Sequence, residues 1–250
     1  VYTSESVLVN RDKQDSPMSN FSGLASLAGV DLSAQGASLN KVMGIIESRE
    51  FVKHLITFDN VLPSLMAAQS YNANTREIIF DDEIYNHETK SWVRDAPANR
   101  GVVPSYIEAH KEYSEMISMT KDRLTGHVSL KVEHVSPIFA KEFLSLVINE
   151  ANNVQRNIDV DSSTKALLYL RDQLSRTPQV EIRDSISKLI ENQLETQMMA
   201  SIHDDYVLMT LEPPFTPERK SGPIRSLIVI LSTLVGGLLS ASIVLVREYF

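Results

Sequence analysis

Six histidines, 32 carboxylates and no cysteine are the raw material for chemistry in these 250 residues. Thiolate metal sites and disulfides are therefore excluded. His87-Glu88 has no second histidine four residues on, as a zinc-binding helix requires. His203-Asp204-Asp205 has the atoms to hold a cation, but it reads equally as a helix end with solvated acids, as do Asp81, Asp82 and Glu83 at the first turn of a helix. His54, His110 and His203 stand apart from one another. His127 and His134 bracket a strand and, seven residues apart, point to opposite faces. The glycines at 23 and 29 are not followed by the Lys-Ser/Thr pair of a phosphate loop, and no Gly-x-Ser-x-Gly elbow occurs. The expectation is a protein without catalytic residues, metal or cofactor.

The elements that would position any site divide into a base, an arm and an apolar end. Residues 1–9 are rich in β-branched types. Residues 127–135 alternate, with Val128, Leu130 and Val132 on one face and Ser129, Lys131 and Glu133 on the other. Residues 206–211 make a third strand. Helical spacing marks 40–58 and 63–71, Ile78 to Phe80 is a brief strand, and Pro104 opens a helix to about Asp122.

Ser136-Pro137 is an N-cap and N1 pair opening a helix-forming stretch that lasts to about His203. Phe143, Val147, Ala151, Val154 and Ile158 mark one apolar face; Ile182, Ile186, Ile190, Leu194 and Met198 mark another. The break is Thr177-Pro178, with Thr177 as N-cap of the second helix, because proline inside a helix costs about 3 kcal/mol. Helices over 138–176 and 178–202 would be about 58 and 37 Å long. A kink near Asp159 to Ser163 is expected to absorb the difference.

Residues 227–246 contain no charge, and 20 helical residues span about 30 Å, the thickness of a bilayer core. A transmembrane helix over 224–247 is expected, with Ser232, Gly236 and Ser240 four apart on it. The fold class expected is α+β: a small mixed sheet with helices as a membrane-proximal base (1–135 and 205–223), a long projecting helical hairpin (136–204) and the C-terminal transmembrane helix. Net charge is −8, which disfavours nucleic acid. Pro213, Pro214, Pro217 and Pro223 form a stiff joint between the last strand and the span.

Taken in order, Ser22 to Gly29, Glu47-Ser-Arg-Glu-Phe51, Ser136-Pro137, the long helical stretch and the proline-rich run Glu212 to Pro223 before Gly236-Gly237 resemble the polysaccharide co-polymerases, the Wzz-type chain-length determinants. The resemblance covers essentially the whole chain. It implies a non-enzymatic protein of the bacterial inner membrane, mostly periplasmic, with a further span before Val1. It also implies a ring-shaped homo-oligomer, taken as an octamer. The ring would set the length of O-antigen or a related glycan made by a separate polymerase, with the growing glycan as a further partner. Arg219, Lys220 and Arg225 before the apolar run, against Arg247 alone after it, argue locally for the opposite orientation; the family topology is preferred. Pro213, Pro217, Pro223, Gly236 and Gly237 are the positions expected, by family match, to couple the base to the membrane helix. Some family members carry a tyrosine-kinase domain after the second span. With four residues after the run, that activity is not expected here, and the membrane-periplasmic part of such a kinase is one alternative. An envelope adaptor or sensor ectodomain is another, and an enzyme of glycan metabolism a third.

Overall fold

The computed structural model describes residues 1–10, 34–202, 205–222, 232–233 and 235–236. Its central feature is a four-stranded sheet of β1 (Tyr2–Asn10), β6 (Ile117–Lys121), β7 (Val128–His134) and β8 (Leu208–Glu212), in the order β6-β7-β1-β8. Every pairing is antiparallel, which corrects the expected mixed sheet. One pairing is local: β6 and β7 form a hairpin, turned by Asp122, whose Oδ1 accepts from Leu124 N and Thr125 N, and by Gly126 at φ 73°. β1 then pairs β7 from Tyr2↔His134 to Leu8↔Val128.

Period-2 alternation decides what faces inward. Val128, Leu130, Val132 and His134 are buried on β7, and Ser4, Ser6, Leu8 and Asn10 on β1. Against the sheet lies the first half of α5 (Pro137–Arg176), burying Ala140, Phe143, Leu144, Val147, Ile148 and Ala151. Further helices add to the core, among them α1 (Ala34–Ile46), α2 (Arg49–Leu55) and α4 (Tyr106–Met116), with Val42, Val52, Leu55 and Tyr113 fully buried. Tyr113 Oη donates to Ile46 O at 2.9 Å, and burial pushes its phenol far above the ordinary range.

Several expected elements take other boundaries for capping reasons. The single helix over 40–58 is two, because Ser48 turns extended and its hydroxyl accepts Phe51 N as the N-cap of α2. The helix expected from Pro104 starts at Tyr106, where Ser105 and Glu108 form a reciprocal capping box; it stops at Met116, and residues 117–121 are β6. The helix expected over 63–71 is α3 (Val61–Met66) followed directly by β2 (Ala68–Asn72), which pairs β3 (Glu77–Phe80). Asp81, Asp82 and Glu83 open no helix: Asp81 Oδ1 accepts from Glu83 N in a turn leading to a short hairpin, β4 (Tyr85–Asn86) with β5 (Ser91–Trp92).

The helix that forms the arm begins where expected. Ser136 caps α5 through Phe139 N, with Pro137 in the first turn. The break before α6 (Val180–Ile202) falls at residues 177–179; Thr177 is not an N-cap there but donates its hydroxyl back to Gln173 O, and α6 starts two residues after Pro178. No kink is needed at residues 159–163, where α5 is unbroken. Some 16 residues of α5 lie over the sheet, and only the remainder, about 36 Å, pairs with α6, about 35 Å long.

α5 and α6 have 40 and 23 residues, but charges occur all along them. Among the described residues no helix is long and apolar enough to cross a membrane. This corrects the expected fold class: the described fold is a mixed α/β arrangement of six helices and one sheet with two small hairpins, without a transmembrane helix. The apolar run over 227–246 lies outside the described residues except for Ser232, Thr233, Val235 and Gly236.

Candidate functional site

The segment after β8 does not leave the base as a free joint. It runs back along β1 as a strap. Ser6 Oγ donates to Glu212 O and Ser4 Oγ to Phe215 O, both at 2.7 Å. Ser221 N donates to Val1 O at 2.9 Å, Val1 N to Gly222 O at 3.1 Å, and Lys220 Nζ lies over the Tyr2 ring. The side-chain bonds have a physical reason. Pro213, Pro214 and Pro217 offer no N–H, so a regular ladder cannot continue past Glu212. The inward-facing serines of β1 supply donors to the strap carbonyls instead. Pro217 is buried in this contact and Pro213 exposed. Pro223 and Gly237 lie outside the described residues. Gly236 is exposed, with no atom within 4 Å of where a Cβ would stand. Of the five expected coupling positions, the strap thus brings Pro213 and Pro217 to one edge of the sheet.

The other end of β1 holds the arm. Asn152, buried in the middle of α5, donates from Nδ2 to Leu208 O at 3.0 Å and accepts at Oδ1 from Leu208 N at 2.8 Å and Val207 N at 3.1 Å. One turn on, Gln155 Nε2 donates to Asp159 Oδ2, which also accepts Tyr206 Oη at 3.0 Å. A column of side-chain amides and a carboxylate therefore fastens the point where α5 leaves the sheet to the point where β8 enters it. The buried asparagine satisfies its own polar atoms and those of the strand start together.

His134 marks the opposite end of α5. Its Nε2 lies 3.0 Å from Ser64 O, its Nδ1 accepts Ser136 N at 3.0 Å, and its ring packs on Phe139 at 4.4 Å. Accepting at Nδ1 makes the ring neutral with its proton on Nε2. Burial pushes its pKa below the ordinary histidine value. His54 and His110 each have a partner that is not a histidine: His54 Nε2 is 2.6 Å from Glu150 Oε2, and His110 Nε2 is 2.9 Å from Glu47 O.

Glu108 has a carboxyl held far below the ordinary range. The Arg94 guanidinium first, and then the Ser105 N–H, hold it down to about 2. Among the described residues no three of His, Asp and Glu converge as a metal site would need. His203 and Asp204 lie outside the described residues, as does the segment with Gly23 and Gly29.

The arm carries apolar surface of its own. Its seam buries Ser163 and Leu167 on α5 and Ile186 and Ala200 on α6, with Gln197 Nε2 donating to Thr164 Oγ1. Ile158, Leu194, Met198 and Ile202 are 51, 44, 57 and 61% exposed. The two expected apolar faces therefore bury only in part, and the one from Ile182 to Met198 is spaced by four throughout. Each step of four turns a helix about 40° past a full circle, so the ends of such a stripe rotate away from the seam.

Ser4, Ser6 and Asn152 were not legible as site residues. Their only signal is polar types at positions where the strand and helix periods demand burial. No protein-family model matches this chain, and a search of curated proteins finds no match.

Proposed function

We propose that this chain regulates the length of a bacterial surface polysaccharide, O-antigen first among them. It would work as a ring-shaped homo-oligomer at the inner membrane, mostly on the periplasmic side, beside a separate polymerase and without catalysing a reaction itself. The observation that carries the reading is the path of β1. Its two ends, about 30 Å apart, hold different things: Val1 beside Gly222 at one, and the Asn152 clamp at the root of the arm at the other. A single strand and its strap thus join the place where residues 1 and 222 meet to the base of a two-helix arm. The arm has apolar side chains that its own partner helix leaves uncovered, as a subunit that packs on copies of itself requires.

The reading is tested by deleting the gene and complementing it, with lipopolysaccharide resolved on a gel. The expected outcome is loss of the modal band cluster on deletion and its return on complementation. A ladder indifferent to both overturns the reading and favours an adaptor or sensor role.

A further inference from the structure

A cleft of about 640 Å³ lies beside α4, away from both strap and arm root, lined among others by Met66, Asn99, Arg100, Ile107, Lys111 and Glu112. Its volume is in the range that holds one or two small-molecule rings. The charge balance around it is unusual. Arg94 lies underneath and spends its donors on the fold: Nε on Val102 O, Nη2 on Gly101 O and Glu108 Oε2, and Nη1 on Glu108 Oε1 at 2.9 Å. Arg100 reaches that same Oε1 at 3.2 Å through Nη1, its one side-chain hydrogen bond among the described residues, and its side chain is 56% exposed. Two guanidiniums therefore face one carboxylate, and among the described residues the remaining N–H groups of Arg100, which lines the cleft, have no side-chain acceptor. Lys111 adds a cation on the rim, 3.7 Å from Glu115. Glu112 is the opposing acid, with no cation within ion-pair distance among the described residues.

We infer that this cleft binds an acidic saccharide unit, a sugar ring bearing a carboxylate; the inference rests on the proposed role beside a growing glycan. The Arg100 fork matches a planar carboxylate. Met66 and Ile107 supply apolar surface for the C–H face of a sugar ring, and Asn99 and Glu112 supply acceptors for its hydroxyls. Glu112 also sets the choice of anion, because its charge repels a dianionic phosphate more strongly than a singly charged carboxylate whose ring hydroxyls donate to it.

The test is calorimetric titration of the full 250-residue chain in mild detergent with tri-galacturonate, maltotriose and inorganic phosphate. Tri-galacturonate is expected to bind at least tenfold more tightly than either of the others. Arg100→Gln should weaken it at least tenfold, and Arg100→Lys should weaken it less, with the circular dichroism of both variants unchanged. Absent binding, equal binding of maltotriose or phosphate, or an Arg100→Gln affinity equal to that of the parent would overturn the assignment. Because binding is read on purified protein, an indifferent lipopolysaccharide ladder with selective tri-galacturonate binding refutes the chain-length role and leaves the site standing.

Discussion

The side-chain amide of Asn152 pairs with both backbone groups of one residue: Nδ2 donates to Leu208 O at 3.0 Å while Oδ1 accepts Leu208 N at 2.8 Å. A helix in its middle is thereby bonded to a strand at its first residue, 56 positions later in the chain.

Asn152→Leu leaves Leu208 and Val207 with buried amide groups unsatisfied, and the expected loss is about 3 kcal/mol. Urea unfolding should show a lower midpoint with the same m-value. Asn152→Asp keeps the acceptor but buries a charge and loses the donor, so it should not restore stability.

Protonation of His134 should destabilise the root of α5. The folded-state pKa lies below the unfolded value because burial disfavours the cation, and only the neutral ring can accept Ser136 N. The unfolded chain therefore binds the proton first. Stability is fully present above about pH 6.5 and falls as pH drops from there toward the folded pKa. His134→Gln should flatten stability against pH across that window; an unchanged slope would assign it elsewhere.

Glu108 contributes in a lower range. Its folded pKa of about 2 lies under the unfolded value near 4.5, so its contribution is present above pH 4.5 and is lost as pH falls toward 2. Glu108→Gln removes the carboxylate that holds Arg94 and accepts Ser105 N. The expected cost at neutral pH is about 2 kcal/mol, read as a lower thermal midpoint and an acid limb that starts later.

Ser4→Ala with Ser6→Ala removes the two hydroxyls that hold the strap. About 1 kcal/mol per bond is expected, with faster amide exchange at Ser221 than in the parent. If the strap couples base to membrane, this pair, like Pro217→Ala with Pro223→Ala, shifts the modal glycan length; an unaltered ladder would remove the strap from the mechanism.

Leu194→Glu with Met198→Glu places charges on the uncovered side of α6. Sedimentation in mild detergent should show the assembly fall to single subunits with helix content unchanged. A parent protein that is already monomeric would end the homo-oligomer reading.

How far the residues alone reach is clearest element by element. Ser136-Pro137 and Thr177-Pro178 mark helix limits because hydroxyl capping and the missing proline N–H act within one turn. The alternation over Val128–His134 marks its strand for the same local reason. Other outcomes depend on contacts distant in the chain. The antiparallel order β6-β7-β1-β8 requires β1 to choose two partners more than 110 residues away. The four-residue stripe from Ile182 to Met198 looks continuous in sequence, yet the 3.6-residue turn rotates its ends out of the seam, and only the packed pair shows where. The prolines after Glu212 announced a stiff segment, but stiffness has no direction. The hydroxyls of Ser4 and Ser6, more than 200 residues earlier, decide that it lies along β1 and returns to Val1. Local chemistry determined where elements start and stop; burial and long-range hydrogen bonding, which exist only once the chain has closed on itself, decided which of them touch.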